Sequence, residues 1–169
     1  TDAANKKILL LGTGKIGRNT CKNLLDYLNT QDITLINRTE EKAQQLAKEL
    51  NLKSAPIAKV DEEIANADII LVATNSEKPT ILRSQLEGKG SKLIIDLSVP
   101  CNVEVAAQQL PNITFINVDE LSRIKDETLQ KRKAEVPKAL QIIDEHIAEF
   151  KEWYEMRKHV PMLKEVKGK

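Results

Sequence analysis

Aromatic residues are scarce, at 3% of the 169 residues. Stacking platforms for single-stranded nucleic acid need several such rings, so this composition argues against one. An excess of either charge is also lacking. Lys and Arg number 26 against 25 Asp and Glu, for a net charge of +1. That argues against a strongly basic nucleic-acid footprint and leaves room only for a local patch. Cysteine is nearly absent. Cys21 and Cys101 are the only two, without metal-type spacing, which suits a reduced, cytoplasmic setting rather than a disulfide framework. His146 and His159 lie too far apart for a metal pair. No apolar run is long enough for a membrane span. The polar lead Thr1–Lys7 has no leader pattern. Repeats and low-complexity tracts are missing too. What remains is 41% apolar residues in a chain long enough to bury a core.

What is present begins at Lys7. The unbroken apolar run Ile8–Leu11 feeds Gly12, and Gly12, Gly14 and Gly17 stand at G-x-G-x-x-G spacing. Ile16, Leu24, Leu25 and Leu28 then recur at helical intervals. Strand, tight turn and helix in that order form a dinucleotide-binding signature. The first glycine permits the bend, the second lets the backbone approach a pyrophosphate, and the third lets helix and strand pack closely. The helix N-terminus offers free N–H groups and partial positive charge to phosphate.

Further along, strands are expected at Ile33–Ile36, within 53–57, at Asp68–Ala73, Lys92–Leu97 and Ile113–Val118. Helices are expected over Glu40–Leu50, Val60–Ala67, Leu82–Leu86 and Val103–Leu110, with Thr39 as an N-cap. Alternating strands and helices with continuously apolar central strands predict an α/β fold. The expected architecture is a Rossmann-like, doubly wound parallel sheet with a long C-terminal helix. Residues 1–119 should form the nucleotide-binding domain and 120–169 a long helical segment. Val136, Leu140, Ile143, Ile147, Phe150 and Tyr154 step by three and four residues on that helix, a heptad-like stripe opposite a charged face. Its length favours dimerisation through residues 136–154. Pro137 should kink or divide the helix, and Val160–Lys169 reads as its exit.

The end of the second strand discriminates between nicotinamide cofactors. NAD-preferring folds place a carboxylate there for the ribose hydroxyl. Here Asn37, Arg38 and Thr39 occupy the position, Lys42 follows one turn later, and Asp32 lies at the wrong end of the strand. An Arg fork can hold a 2′-phosphate that a carboxylate would repel. The cofactor expected is therefore NADPH.

These pieces, with Ala73-Thr74-Asn75-Ser76, Asp96-Leu97-Ser98-Val99-Pro100, Asp119-Glu120-Leu121 and the long helix with Lys131-Arg132, resemble the glutamyl-tRNA reductase family over residues 6–165. Shikimate dehydrogenases are similar in the glycine turn and Asn-Arg-Thr. The Asp-Leu-Ser-Val-Pro loop and terminal helix favour the reductase. The resemblance implies tetrapyrrole biosynthesis, in which NADPH reduces a cysteine-bound glutamyl thioester, taken from glutamyl-tRNA, to glutamate-1-semialdehyde. The nucleophilic cysteine belongs to a separate N-terminal domain, so this chain alone should be inactive and carry no catalytic residue. The family works as a homodimer.

The cofactor residues so implied are Gly12, Thr13, Gly14, Lys15, Ile16 and Gly17 for the pyrophosphate, and Asn37, Arg38, Thr39 and Lys42 for the 2′-phosphate side. Thr74, Asn75 and Ser76 should lie along the nicotinamide ribose, with Ser98, Val99 and Pro100 near the nicotinamide. Cys101 departs from the family's arginine, and no His or Asp close in sequence is assigned to activate it. Cys21 reads as a small core residue. Lys131-Arg132-Lys133 is either a tRNA contact or a solvated run. Two other readings stay open: a shikimate-dehydrogenase-like oxidoreductase domain, and a non-catalytic nucleotide-binding dimerisation module.

Overall fold

Continuous apolar runs build the centre of the molecule. The structure is a computed structural model that describes residues 5–28 and 30–166, with side chains as far as Arg157. Its strands are β1 (Ile8–Leu11), β2 (Ile33–Ile36), β3 (Lys53–Ser54), β4 (Ile69–Val72), β5 (Lys92–Asp96) and β6 (Ile113–Asn117). The helices between them are α1 (Lys15–Leu28), α2 (Glu40–Leu50), α3 (Val60–Asn66), α4 (Arg83–Leu86) and α5 (Val105–Gln108), and α6 (Val118–Val166) ends the chain. The sheet is parallel throughout, in the order β3-β2-β1-β4-β5-β6. The reversal between β1 and β4 is the switch point of a doubly wound fold, where ligands bind at the carboxyl ends of the strands.

Side chains of β1 alternate between two cores. Leu9 and Leu11 join Ile64, Ile70, Val72, Ile81, Leu86 and Ile94 on one face. Ile8 and Leu10 join Cys21, Ile33, Leu35, Ala43, Leu46 and Leu71 on the other. Both faces of β1 and β4 are covered, so these two strands are apolar at every position. Each fully buried Leu or Ile contributes roughly 1.5–3 kcal/mol. Cys21 is fully buried, which confirms it as a core residue. Lys92 is also buried, and its Nζ donates to the carbonyls of Ala65 (2.9 Å) and Ala67 (2.6 Å), at the end of α3. A cation there complements the helix dipole. Asp32 pairs with Lys53 at 2.9 Å at the amino edge, away from the switch point.

Four expectations need correction. Val103–Leu110 is not one helix. Val103 pairs with Ile81 in an isolated parallel bridge, and the helix begins only at Val105. Thr39 occupies the N-cap position of α2 but makes no capping hydrogen bond. Of the two outcomes expected at Pro137, a kink or a division, division does not occur: α6 is continuous from Val118 to Val166. Proline removes one N–H, and the flanking turns carry the helix past it. The exit expected from Val160 is therefore not seen before Val166, and residues 167–169 lie outside the described ones, as does the side chain of His159. The helix starts directly from β6, with Asn117 Oδ1 accepting the Glu120 N–H at 2.9 Å, an N-cap the sequence reading did not assign.

The chain divides into two compact units, Thr1–Leu121 and Ser122–Lys169. Within the second, every described side chain to Arg157 is exposed. No helix among the described residues is long and apolar enough to cross a membrane.

The first unit depends on close backbone contact at the glycine turn. Gly12 has φ +95°, and a Cβ there would strike the carbonyl of Ala73. A Cβ on Gly17 would strike the carbonyl of Gly12. Gly90 has open space around it. Gly17→Ala should therefore lower stability by about 1–3 kcal/mol through overpacking, and Gly90→Ala should change it by less than about 0.5 kcal/mol. Urea unfolding of the two variants checks the contrast.

Candidate functional site

Three loops leave the carboxyl ends of β1, β2 and β4 and meet around one cleft of about 520 Å3. The first wall is Gly12, Thr13 and Gly14. The second is Asn37, Arg38, Thr39 and Lys42. The third is Thr74, Asn75, Ser76 and Thr80, and Ile57 and Val60 add an apolar patch. The ladder bonds Gly12 N–H to Ile36 C=O and Ala73 N–H to Leu11 C=O, both 2.8 Å, carry the sheet to the rim of the cleft.

Asn37 joins the first wall to the second. Its Oδ1 accepts the Thr13 N–H at 3.2 Å and its Nδ2 donates to the Thr39 carbonyl at 2.9 Å. The side chain expected to face a ligand is largely spent on bracing two loops. The Thr39 hydroxyl, by contrast, is not used to cap α2.

Arg38 and Lys42 are exposed, and neither has an ion pair among the described residues. Glu40, the adjacent acid, accepts the Ile57 N–H at 3.2 Å. Two cations at one end of a cleft without acidic partners suit an anionic ligand group.

Two further features fit a phosphate-bearing guest. A Cβ added at Gly14 would meet nothing, so the fold itself does not require glycine there; the space it leaves is open cleft. Thr13 is buried, and its Oγ1 has no hydrogen-bond partner. Buried polar atoms are seldom left unpaired, and such an orphan leaves a hydroxyl to be met by a water or by a ligand.

The structure thus brings together Gly12, Thr13, Gly14, Asn37, Arg38, Thr39, Lys42, Thr74, Asn75 and Ser76. Lys15, Ile16 and Gly17 open α1 behind the turn and do not line the cleft, and neither do Ser98, Val99 and Pro100. Ser98 is buried, and its Oγ also lacks a partner. Val99 is 80% exposed. The Val99–Pro100 peptide is cis. Ile57, Val60 and Thr80 were not anticipated as cleft residues. Ile57 and Val60 are apolar positions flanking a short turn, where no motif marks them.

Asp96 and Asn102, both 1% exposed, were also missed as site residues. The Asp96 carboxylate accepts N–H groups from Ser98 (2.9 Å), Asn102 (2.6 Å) and Val103 (3.0 Å) and the thiol of Cys101 (3.0 Å). An acid just before a run of loop residues was the available signal. Its neighbour Cys101 therefore does have a carboxylate partner, contrary to expectation. That partner works against activation. Burial of the sulfur pushes the Cys101 thiol above its ordinary value, and donation to Asp96 adds to the rise. A nucleophilic cysteine needs the opposite shift. Among the described residues no cluster of His, Cys, Asp and Glu forms a candidate metal site.

Comparisons with known proteins give the family. The family model described as shikimate / quinate 5-dehydrogenase matches residues 1–124. The glutamyl-tRNA reductase of Christiangramia forsetii is 46% identical over 166 residues, covering 98% of this chain and 40% of that protein. The one from Methanocaldococcus jannaschii is 34% identical over 161 residues, covering 95% and 41%. The chain thus spans about 40% of the length of these curated relatives. Among solved structures, glutamyl-tRNA reductase from Methanopyrus kandleri superposes with a TM-score of 0.78 at 26% identity, covering 92% of this chain and 41% of that one. The nucleotide-binding domain of the Thermoplasma volcanium glutamyl-tRNA reductase gives 0.59 at 27% identity, covering 76% and 86%.

The two thiols should be distinguishable by chemistry. Alkylation of Cys101 by iodoacetamide should accelerate only above the pH at which an ordinary free thiol ionises, since the group holds its proton longer. Cys21, pushed up to about 11 by burial, should react only on unfolding. Mass spectrometry of the alkylated chain across a pH series reads both.

Proposed function

The chain belongs to the shikimate / quinate 5-dehydrogenase family, in the part of it occupied by glutamyl-tRNA reductases, and from that premise we propose that it is the NADPH-binding module of such a reductase. In that role it serves the reduction of a cysteine-bound glutamyl thioester, derived from glutamyl-tRNA, to glutamate-1-semialdehyde in the cytoplasmic synthesis of tetrapyrroles. The thioester-forming cysteine and the tRNA contacts belong to another domain. The family model ends at residue 124, whereas the reductase relatives match α6 as well. That difference favours the reductase over a shikimate-type dehydrogenase.

The observation that carries the proposal is the cleft itself, with an open glycine at one wall and two cations without acidic partners at the other. Gly14 leaves room for a pyrophosphate against the backbone. The N-terminus of α1 lies behind that position and favours negative charge. Arg38, Lys42 and Thr39 hold the 2′-phosphate, while Ile57 and Val60 offer apolar surface to adenine. Thr74, Asn75 and Ser76 orient the nicotinamide ribose, with Ser98, Val99 and Pro100 beyond them towards the ring. When bound, the cofactor supplies hydride. The chain's own contribution is orientation. Nothing around Cys101 activates it as a nucleophile, since burial and donation to Asp96 both raise the pKa of its thiol.

Dimerisation completes the reading. Val136, Leu140, Ile143, Ile147 and Phe150 are all exposed at heptad intervals along α6. Phe150 packs beside Trp153 with ring centroids 5.7 Å apart, and Arg157 lies over the Trp153 ring at 5.0 Å. A stripe of this kind matches the knobs-and-holes seam of a two-helix contact. The second copy of the chain is its proposed occupant.

Arg38→Ala should weaken NADPH binding by roughly 10- to 100-fold, the value of a charge-assisted pair, and NADH binding far less. Gly14→Ala should weaken both nucleotides while leaving the unfolding midpoint unchanged. Calorimetric titration with the two nucleotides tests both variants, and preference of the unmodified chain for NADH would overturn the assignment of Arg38. For the helix, sedimentation equilibrium should give a dimer that Ile143→Glu converts to monomer. A monomer for the unmodified chain at high concentration would refute the contact.

A further inference from the structure

Asn102 lies outside the cleft yet is tied to both ends of one of its walls. Its Oδ1 accepts the Thr74 hydroxyl at 2.5 Å and the Ser76 N–H at 3.3 Å. Its Nδ2 donates to the Ser76 carbonyl at 2.8 Å and to the Pro100 carbonyl at 3.3 Å. Its own carbonyl accepts the N–H groups of Thr80 (2.7 Å) and Ile81 (3.1 Å). The start and the finish of the loop after β4 therefore converge on one residue. Asn102 is held in turn through its N–H on Asp96 Oδ2.

The distribution of these bonds is one-sided. All reach the loops after β4 and β5, and none reaches Arg38, Thr39, Lys42 or the glycine turn. Buried amides bonded at both ends are rigid, because leaving either end unpaired costs the full desolvation of that group. The four side-chain bonds fix where Thr74 and Ser76 present themselves to the cleft.

We propose that Asn102, anchored by Asp96, is a positioning residue that sets the loop 74–76 and thereby the hold on the nicotinamide end of the cofactor, without affecting the adenosine end. This inference rests on the nucleotide-site reading above and adds a residue that does not itself touch the cofactor.

The test compares two probes on the full 169-residue chain: NADPH, and 2′-phosphoadenosine 5′-phosphate, which carries the adenosine end only. Asn102→Ala should weaken NADPH about 10-fold, the scale of one or two lost hydrogen bonds. Affinity for the adenosine probe should stay within about 2-fold, which also reports that the variant is folded. Asn102→Asp keeps the acceptor for Thr74 and Ser76 and loses the donor to Ser76 and Pro100. It should show the same selective loss and serves as the second variant if the alanine form does not fold. At saturating NADPH, the fluorescence anisotropy of the reduced ring should fall in either variant, a change that general destabilisation would not produce while the adenosine probe still binds. Equal loss of both probes, or unchanged NADPH affinity and anisotropy, overturns the role of Asn102 alone. If the unmodified chain binds neither probe, the nucleotide-site reading falls and this inference falls with it.

Discussion

Backbone contact between Gly12, Gly17 and Ala73 is the constraint from which the rest of the first unit follows. Carbonyl groups there occupy the space a Cβ would take at either glycine. That proximity lets α1 start directly behind β1, and it draws β4 in beside the same turn. Once β1, α1 and β4 are so placed, the carboxyl ends of the strands open onto one cleft. Gly14 is different in kind. Its space is left empty by the protein, so packing does not require glycine at that position.

Around that turn the loops of the cleft are braced by side-chain amides more than by charges. Asn37 braces the glycine loop against the loop after β2. Asn102 braces the loop after β4 against the loop after β5. An amide suits this work because it both donates and accepts, so a single side chain can satisfy backbone groups of two segments. The charged groups fall into two sets. Asp96 is buried and fully occupied by donors, while Arg38 and Lys42 stay exposed at the rim. A binding site needs this division, with saturated polar groups to hold the frame and unsaturated ones to meet the guest.

Legibility followed range. β1 and β4 were readable because strands buried on both faces leave an unbroken apolar run, β2 and β5 because three residues in each are apolar, and α2 because its apolar face and acidic first turn are local signals. The glycine spacing and Asn37-Arg38-Thr39 were readable for the same reason. Val103 was misread as helical because its pairing with Ile81 is a contact between distant parts of the chain that leaves no periodicity behind. Pro137 does not end α6, since a single missing N–H is a local loss in a helix of this length. Asn37 was legible as a residue of the cleft rim, but the two loops its amide bridges were not, because they meet only in the fold. Cys101 was judged to have no acidic partner, although Asp96 stands a few residues upstream, because only the turn back of the chain brings them together.

The amino-acid sequence by itself determined most of the element types, the parallel sheet, the nucleotide-binding turn and the identity of the cations beside it, because each is encoded in spacing or in composition over a few residues. Tertiary structure alone decided which of those residues share the cleft and which stand behind it. It also decided that one aspartate and one asparagine hold the loops of its far wall. Those decisions rest on hydrogen bonds between segments distant in the chain, and a buried amide looks the same in sequence whether it faces solvent, a ligand or another loop.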